Sequence, residues 1–199
     1  MAITNGYCTL NEVKASLRIP VSDTIDDDLL ELAIESASRD IDQATERQFF
    51  PTDTHRFFTP RNSLVCEIDD VSSLTSIKSS TAADGTYDTT WSESDYQLEP
   101  LNGIAGGMSV PFDTLRAVGD YYWPSSGLEV TVRVEGTFGF ATAPIAIKQA
   151  TVLLASRLFK RNDSPGGVMG FGDIGVVRVS KFDPDIERLI NPYRKIRFA

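Results

Sequence analysis

The sequence has one histidine and two cysteines in 199 residues. That supply is too small for most Cys/His metal sites and for any disulfide framework. Cys8 and Cys66 are therefore expected as reduced core residues of a protein made in the cytoplasm. No run approaches the roughly 18 consecutive apolar residues of a membrane helix. The opening Met1-Ala2-Ile3-Thr4-Asn5-Gly6 lacks both a basic start and an apolar stretch, so no secretory signal is read there. Basic residues are also scarce, 19 Lys+Arg against 28 Asp+Glu for a net charge of −9. This balance argues against general affinity for nucleic acid, which needs clustered Lys and Arg. What remains is 41% apolar and 24% charged residues, the make-up of one globular domain or of one domain carrying an insertion.

The charge is unevenly placed. Residues 1–143 hold 9 Lys+Arg and 23 Asp+Glu, a net of −14, whereas residues 144–199 hold 10 and 5, a net of +5. A solvated acidic surface beside ordinary basic helix ends accounts for this. So does a subunit with unlike ends, suited to head-to-tail contacts.

Hydrophobic periodicity reads as helices, then strands, then helices. Thr9-Leu10-Asn11-Glu12 fits a capping box opening a short helix that stops before Pro20. A longer helix is predicted from about Asp26 to Gln48, with Leu30, Ala33, Ile34, Ala37, Ile41 and Ala44 on one apolar stripe. Asp26, Asp27 and Asp28 sit where its macrodipole favours negative charge. From about Thr54 to Phe140 the period becomes two. Leu128, Val130, Val132 and Val134 alternate with polar residues, as do Leu64, Cys66 and Ile68, and Tyr96 with Leu98 suggests another short strand. Asp69-Asp70 reads as a turn after the Leu64–Ile68 strand. Ala83-Asp84-Gly85-Thr86 and Leu101-Asn102-Gly103 read as turns. From Pro144 the helical period returns, with Ile147, Ala150, Leu154 and Leu158 on one stripe widened by Val152, Leu153 and Phe159. A glycine-rich stretch, Pro165 to Gly175, precedes a short strand at Val176–Val179. Asp183-Pro184 then opens a last helix to about Ile190. The expected fold is α+β. Residues 1–53 and 141–199 pack as a small helical bundle with a C-terminal tail, and 54–140 form a β-rich antiparallel insertion between them.

No catalytic, cofactor or metal motif survives its physical requirements. Gly170-Phe171-Gly172-Asp173-Ile174-Gly175 matches the dinucleotide pattern, but a helix precedes it and a strand follows, the reverse of the order that brings a pyrophosphate to a helix N-terminus. The aspartates at 26–28 lack the alternation of a calcium loop. His55 is the one imidazole base. Gly107-Met108-Ser109-Val110-Pro111 lacks the closing glycine of a nucleophile elbow, so His55 reads as a surface or hinge residue.

Two segments read as contact surfaces. Val168, Met169, Phe171 and Ile174 lie among the glycines of 165–175, either folded over their own core or ordered against a neighbouring subunit. In the tail 191–199, Tyr193 and Phe198 stand among Arg194, Lys195 and Arg197, a composition enriched in interface anchors apart from the lysine.

Several segments taken in order resemble the head–tail connector (adaptor) proteins of tailed bacteriophages. They are Tyr7-Cys8-Thr9-Leu10-Asn11-Glu12-Val13-Lys14, then Asp26–Asp28 with Leu29-Leu30, then Ile41 to Phe49 with its T-x-R-x-F ending. Later come Pro144 to Ala150, Leu158-Phe159-Lys160-Arg161, a glycine loop and Ile190-Asn191-Pro192-Tyr193-Arg194. The resemblance implies a non-enzymatic ring subunit, typically a dodecamer. It would join the portal protein to a stopper or tail protein while DNA passes through the lumen unread. It also implies docking on the portal through Tyr193, Arg194, Arg197 and Phe198; with Val168, Met169 and Phe171, read from composition, these are the expected portal or subunit contacts. The β-rich middle departs from the smallest members. A head-closure or tail-completion subunit, or a β-rich module binding a ligand such as carbohydrate, are the alternatives.

Overall fold

The computed structural model describes residues 2–125, 129–161 and 183–195. The chain is α+β and divides into two compact units, one formed by 1–47 with 143–199 and the other by 48–142.

In the first unit, α1 (Leu10–Leu17) opens on the expected capping box. The Glu12 N–H donates to the Thr9 hydroxyl at 3.3 Å, and the Thr9 N–H donates to the Glu12 carboxylate at 2.9 Å. It ends at Arg18, left-handed at φ 61°. α2 (Asp27–Thr45) carries the predicted stripe, with Leu30, Ala33, Ile34, Ala37 and Ile41 buried. It stops three residues short of Gln48 because Glu46 turns left-handed at φ 54°. The segment before α1 runs along α2. Amides of Thr4 and Asn5 donate to Glu35, the Tyr7 amide donates to the Ser38 hydroxyl, and the Tyr7 hydroxyl donates to Asp42.

α3 (Ile145–Arg161) packs on α1, α2 and α4. Its buried line is Ile147, Ala150, Thr151, Leu154 and Ala155. Leu153, expected to widen the apolar face, is exposed. Lys148 reaches Glu12 at 2.5 Å, and Ser156 shares a hydrogen bond with Ser16 at 2.6 Å, so α1 is clipped to α3 at both ends. α4 (Pro184–Ile190) has the predicted cap, the Asp185 N–H donating to the Asp183 carboxylate at 3.1 Å, and buries Ile186 and Ile190. The expected strand at 176–179 lies outside the described residues.

The second unit is an antiparallel sheet in the order β1 (Thr52–Phe58), β8 (Val132–Phe138), β2 (Val65–Ser79), β7 (Phe112–Ala117), β4 (Tyr96–Glu99). β3 (Thr89–Thr90) is added beside β2, and β5 (Ile104–Ala105) with β6 (Met108–Ser109) form a separate hairpin. β2 is the surprise. Asp69-Asp70 is not a turn, and the strand continues to Ser79, pairing with β7 over its first half and with β8 over its second. Bulges accompany the handover, and the buried positions slip from 66, 68 and 70 to 71, 77 and 79. Each inserted residue shifts the pleat by one and adds local twist. Gly136 of β8 lies against this irregularity. A Cβ there would stand 2.3 Å from the Ser73 carbonyl oxygen, so only glycine fits. The β8 strand begins at Val132 and runs to Phe138, later than the alternation at 128–134 implied, and Val130 is exposed. Cys66, Ile68, Val71, Ile77, Leu115, Val132, Val134 and Phe138 fill the core together with Trp91 stacked on Trp123 at 3.7 Å.

Candidate interaction surfaces

Among the described residues, the sole histidine and two exposed segments are the features to place. His55 is exposed on β1, and its ring meets Phe57 edge-on at 5.4 Å. Among the described residues no three His, Cys, Asp or Glu side chains gather as metal ligands, and no helix is long and apolar enough to cross a membrane. Cys8 and Cys66 are free and buried. Burial, helped by the nearby negative charges of Glu12 and Glu67 respectively, pushes each thiol up to about 12, which leaves it protonated and unreactive at neutral pH.

The most organised face begins at Lys14. Its side chain is only 2% exposed, yet it carries a charge. Val13 and Lys14 both turn into the unit, and the ammonium group is satisfied by the loop between α1 and α2. It donates to the Asp23 carbonyl at 2.7 Å, more weakly to the Val21 carbonyl at 3.4 Å, and pairs with the Asp27 carboxylate at the first turn of α2. Two of its donors thus meet loop carbonyls, and the charge is balanced by the carboxylate at the helix start. The Asp23 side chain adds an Asx-type bond from the Ile25 amide at 3.3 Å. This brace holds outward what a loop would normally bury. Val21 is exposed, Ile25 is 88% exposed, and Leu29 and Leu32 continue the line along α2 at helical spacing. The same helix therefore has two apolar faces, one packed and one open.

The basic end is anchored similarly. After α4, Asn191–Tyr193 form one 3-10 turn, and Tyr193 is buried, which raises its phenol above the ordinary range. The Lys195 amide donates to the Thr45 carbonyl at 2.9 Å, tying this segment to the C-terminus of α2. Arg194 is exposed. Arg197 and Phe198, and likewise Val168, Met169 and Phe171, lie outside the described residues. Reading from sequence missed Ile25, Leu29 and Leu32. Their three- and four-residue spacing was present, but it ran beside the stronger stripe from Leu30 to Ala44.

Residues 7–79 match the family described as phage gp6-like head-tail connector protein. The matched stretch runs from Tyr7 through α1, α2 and β1 to the last residue of β2; the later segments of the resemblance, 144–161 and 190–194, lie beyond it. No curated protein matches the sequence. Among solved structures, the chain is similar to one in the neck of an empty GTA particle computed with C6 symmetry. That likeness has a TM-score of 0.62 and 20% identity, and covers 100% of this chain and 95% of the other. A chain of the virion of a native gene transfer agent particle aligns with TM-score 0.59, 18% identity and the same coverages. One from the neck of a native GTA particle computed with C12 symmetry aligns with TM-score 0.57 and 17% identity, over 100% and 94%. At these identities the likeness is one of fold, and it extends over both compact units. Residues 7–79 are thus similar to the phage gp6-like head-tail connector family, and the chain as a whole shares a fold with the neck chains.

Proposed function

We propose that this chain is a structural neck protein of a phage-like virion, a head–tail adaptor that forms a ring beneath the portal protein and joins it to a stopper or tail protein. Residues 1–53 and 141–199 serve as the adaptor core, a small helical bundle with a docking tail, and 54–140 as a β-rich insertion. The observation that carries the reading is the family match over 7–79 combined with a likeness of fold over the whole chain to neck proteins. The packing of α3 on α1, α2 and α4 supports the bundle. C6 and C12 symmetries in the similar necks support a ring of twelve. Unlike charge at the two ends of the sequence suits the heterologous contacts that close a ring. The excess of acid favours a lumen along which DNA slides without sticking. The role is mechanical, without catalysis or cofactor.

Co-expression with the portal of the same virion tests this, with electron microscopy of the product. A ring stacked on the portal is expected. Because Tyr193 is buried and Lys195 is tied to Thr45, a truncation meant to spare the fold starts after Lys195. That truncation should stay folded and fail to assemble as a ring on the portal. A chain that stays monomeric beside assembled portal would refute the adaptor role; normal assembly of the truncation would refute tail docking alone.

A further inference from the structure

The sheet unit holds a cavity of about 310 Å³, the size of a small ligand site, that no part of the neck role uses. Its walls include Thr89, Thr90, Trp91, Asp95, Tyr121 and Tyr122. The floor is fixed. Trp91 stacks on Trp123 at 3.7 Å and donates its indole N–H to the Ser79 hydroxyl at 2.9 Å. The two tyrosines sit on a loop braced along its length, with the Val118 amide donating to the Asp95 carbonyl at 3.0 Å and the Trp123 amide to the Ser63 carbonyl at 2.7 Å. Tyr121 leans on Trp91, 6.0 Å between ring centres. Even so Tyr121 is 51% and Tyr122 60% exposed. Exposed aromatic rings beside a cavity with a fixed floor are the kind of surface on which binding anchors form.

Charge narrows the occupant. Residues 79–95 and 118–124, which supply the walls, contain Asp84, Asp88, Glu93, Asp95 and Asp120 and no lysine or arginine. The Asp95 carboxylate accepts from the Ser92 amide at 2.8 Å and the Ser94 hydroxyl at 3.0 Å, which position it and leave acceptor capacity over. Aromatic faces beside an uncompensated carboxylate suit a cation and a ring presented together. The chain itself carries such a segment in its basic region, Arg194-Lys195-Ile196-Arg197-Phe198-Ala199, launched from the fixed point at Thr45. We propose that this cavity receives the C-terminal tail of a second copy of this chain, with Arg197 facing Asp95 and Phe198 facing the tyrosines. The proposal rests on the ring reading, since a repeated subunit presents tail and cavity at every junction.

The sequence has two tryptophans; Trp91 lines the cavity and Trp123 stacks on it at 3.7 Å, so indole emission reports occupancy. The hexapeptide Arg194–Ala199 is titrated into dilute full-length chain. A saturable emission change is expected, weakened about three- to tenfold by Tyr122→Ala, by Thr90→Lys, or by alanine at Arg197 and Phe198 of the peptide. Circular dichroism checks that each variant is folded. No saturable change up to about 1 mM, equal binding by both chain variants, or a response to methyl glucoside instead of the peptide overturns the proposal. So does a tail-dependent emission difference that is independent of protein concentration, which would mean a tail docked on its own chain. Peptide binding without a portal-bound ring removes the adaptor reading and keeps the contact; a ring without peptide binding removes the contact alone.

Discussion

Replacing Lys14 by methionine asks whether one buried cation organises the loop that presents Ile25. Methionine keeps the length of the buried stem and removes the charge. The change leaves the Asp23 carbonyl without its 2.7 Å donor and Asp27 without its counter-ion. Removing one partner of a buried pair costs about 3–5 kcal/mol when the other stays sealed. Here Asp27 is 26% exposed and sits in the first turn of α2, where water and the helix dipole partly replace the lysine. Lys14→Met also no longer desolvates an ammonium group. The net loss expected is about 2 kcal/mol. Urea unfolding followed at 222 nm reads it, because helices dominate that signal, while both tryptophans lie in the sheet unit and report it separately. Amide exchange across 19–26 should accelerate more than across α3. Adding Asp27→Asn should recover at least half of the loss, since a neutral pair leaves no orphaned charge. A loss under about 0.5 kcal/mol, or a double variant worse than the sum of its singles, would show that the brace is not what holds the loop.

Three further outcomes follow from the same geometry. Leu29→Glu and Leu32→Glu should leave stability within about 0.5 kcal/mol, as surface substitutions do, yet abolish ring formation on the portal; unchanged rings would exclude that face from the interface. Gly136→Ala must push a methyl into the Ser73 carbonyl 2.3 Å away, and should lower the unfolding free energy read from the tryptophan-reported transition by about 2 kcal/mol or more; a neutral effect would mean the bulge yields freely. Cys8 and Cys66 should resist iodoacetamide at pH 8 in the native chain and react fully in urea. Since each folded thiol is raised to about 12 from an ordinary 9, its contribution is complete below pH 9 and is lost as pH climbs from 9 towards 12, at up to about 1.4 kcal/mol per pH unit per thiol. Stability that rose over that range would contradict the burial.

Features encoded by neighbours in sequence were legible. The Thr9–Glu12 capping box, the Leu30–Ile41 stripe and the Asp183-Pro184 helix start each depend on residues within one or two turns, and each is found where expected. The full length of β2 was not legible. Ser72 to Ser80 lacks an apolar alternation, and the pleat slips by one residue at the bulges, so no single period runs through it. The candidate surfaces were half legible. The tail's composition was plain, but that Tyr193 turns inward while Ile25 stays out depends on what packs behind each.

By itself the sequence determined the α+β order, the caps, the acidic and basic segments and the family likeness of residues 7–79, because these reside in local spacing or in composition. Tertiary structure alone decided that Lys14 is buried against Val21, Asp23 and Asp27 and that Tyr121 and Tyr122 stand open above Trp91. Burial and ion pairing are properties of atoms brought together from distant or separately folded segments. No period within a single segment records which partner will arrive.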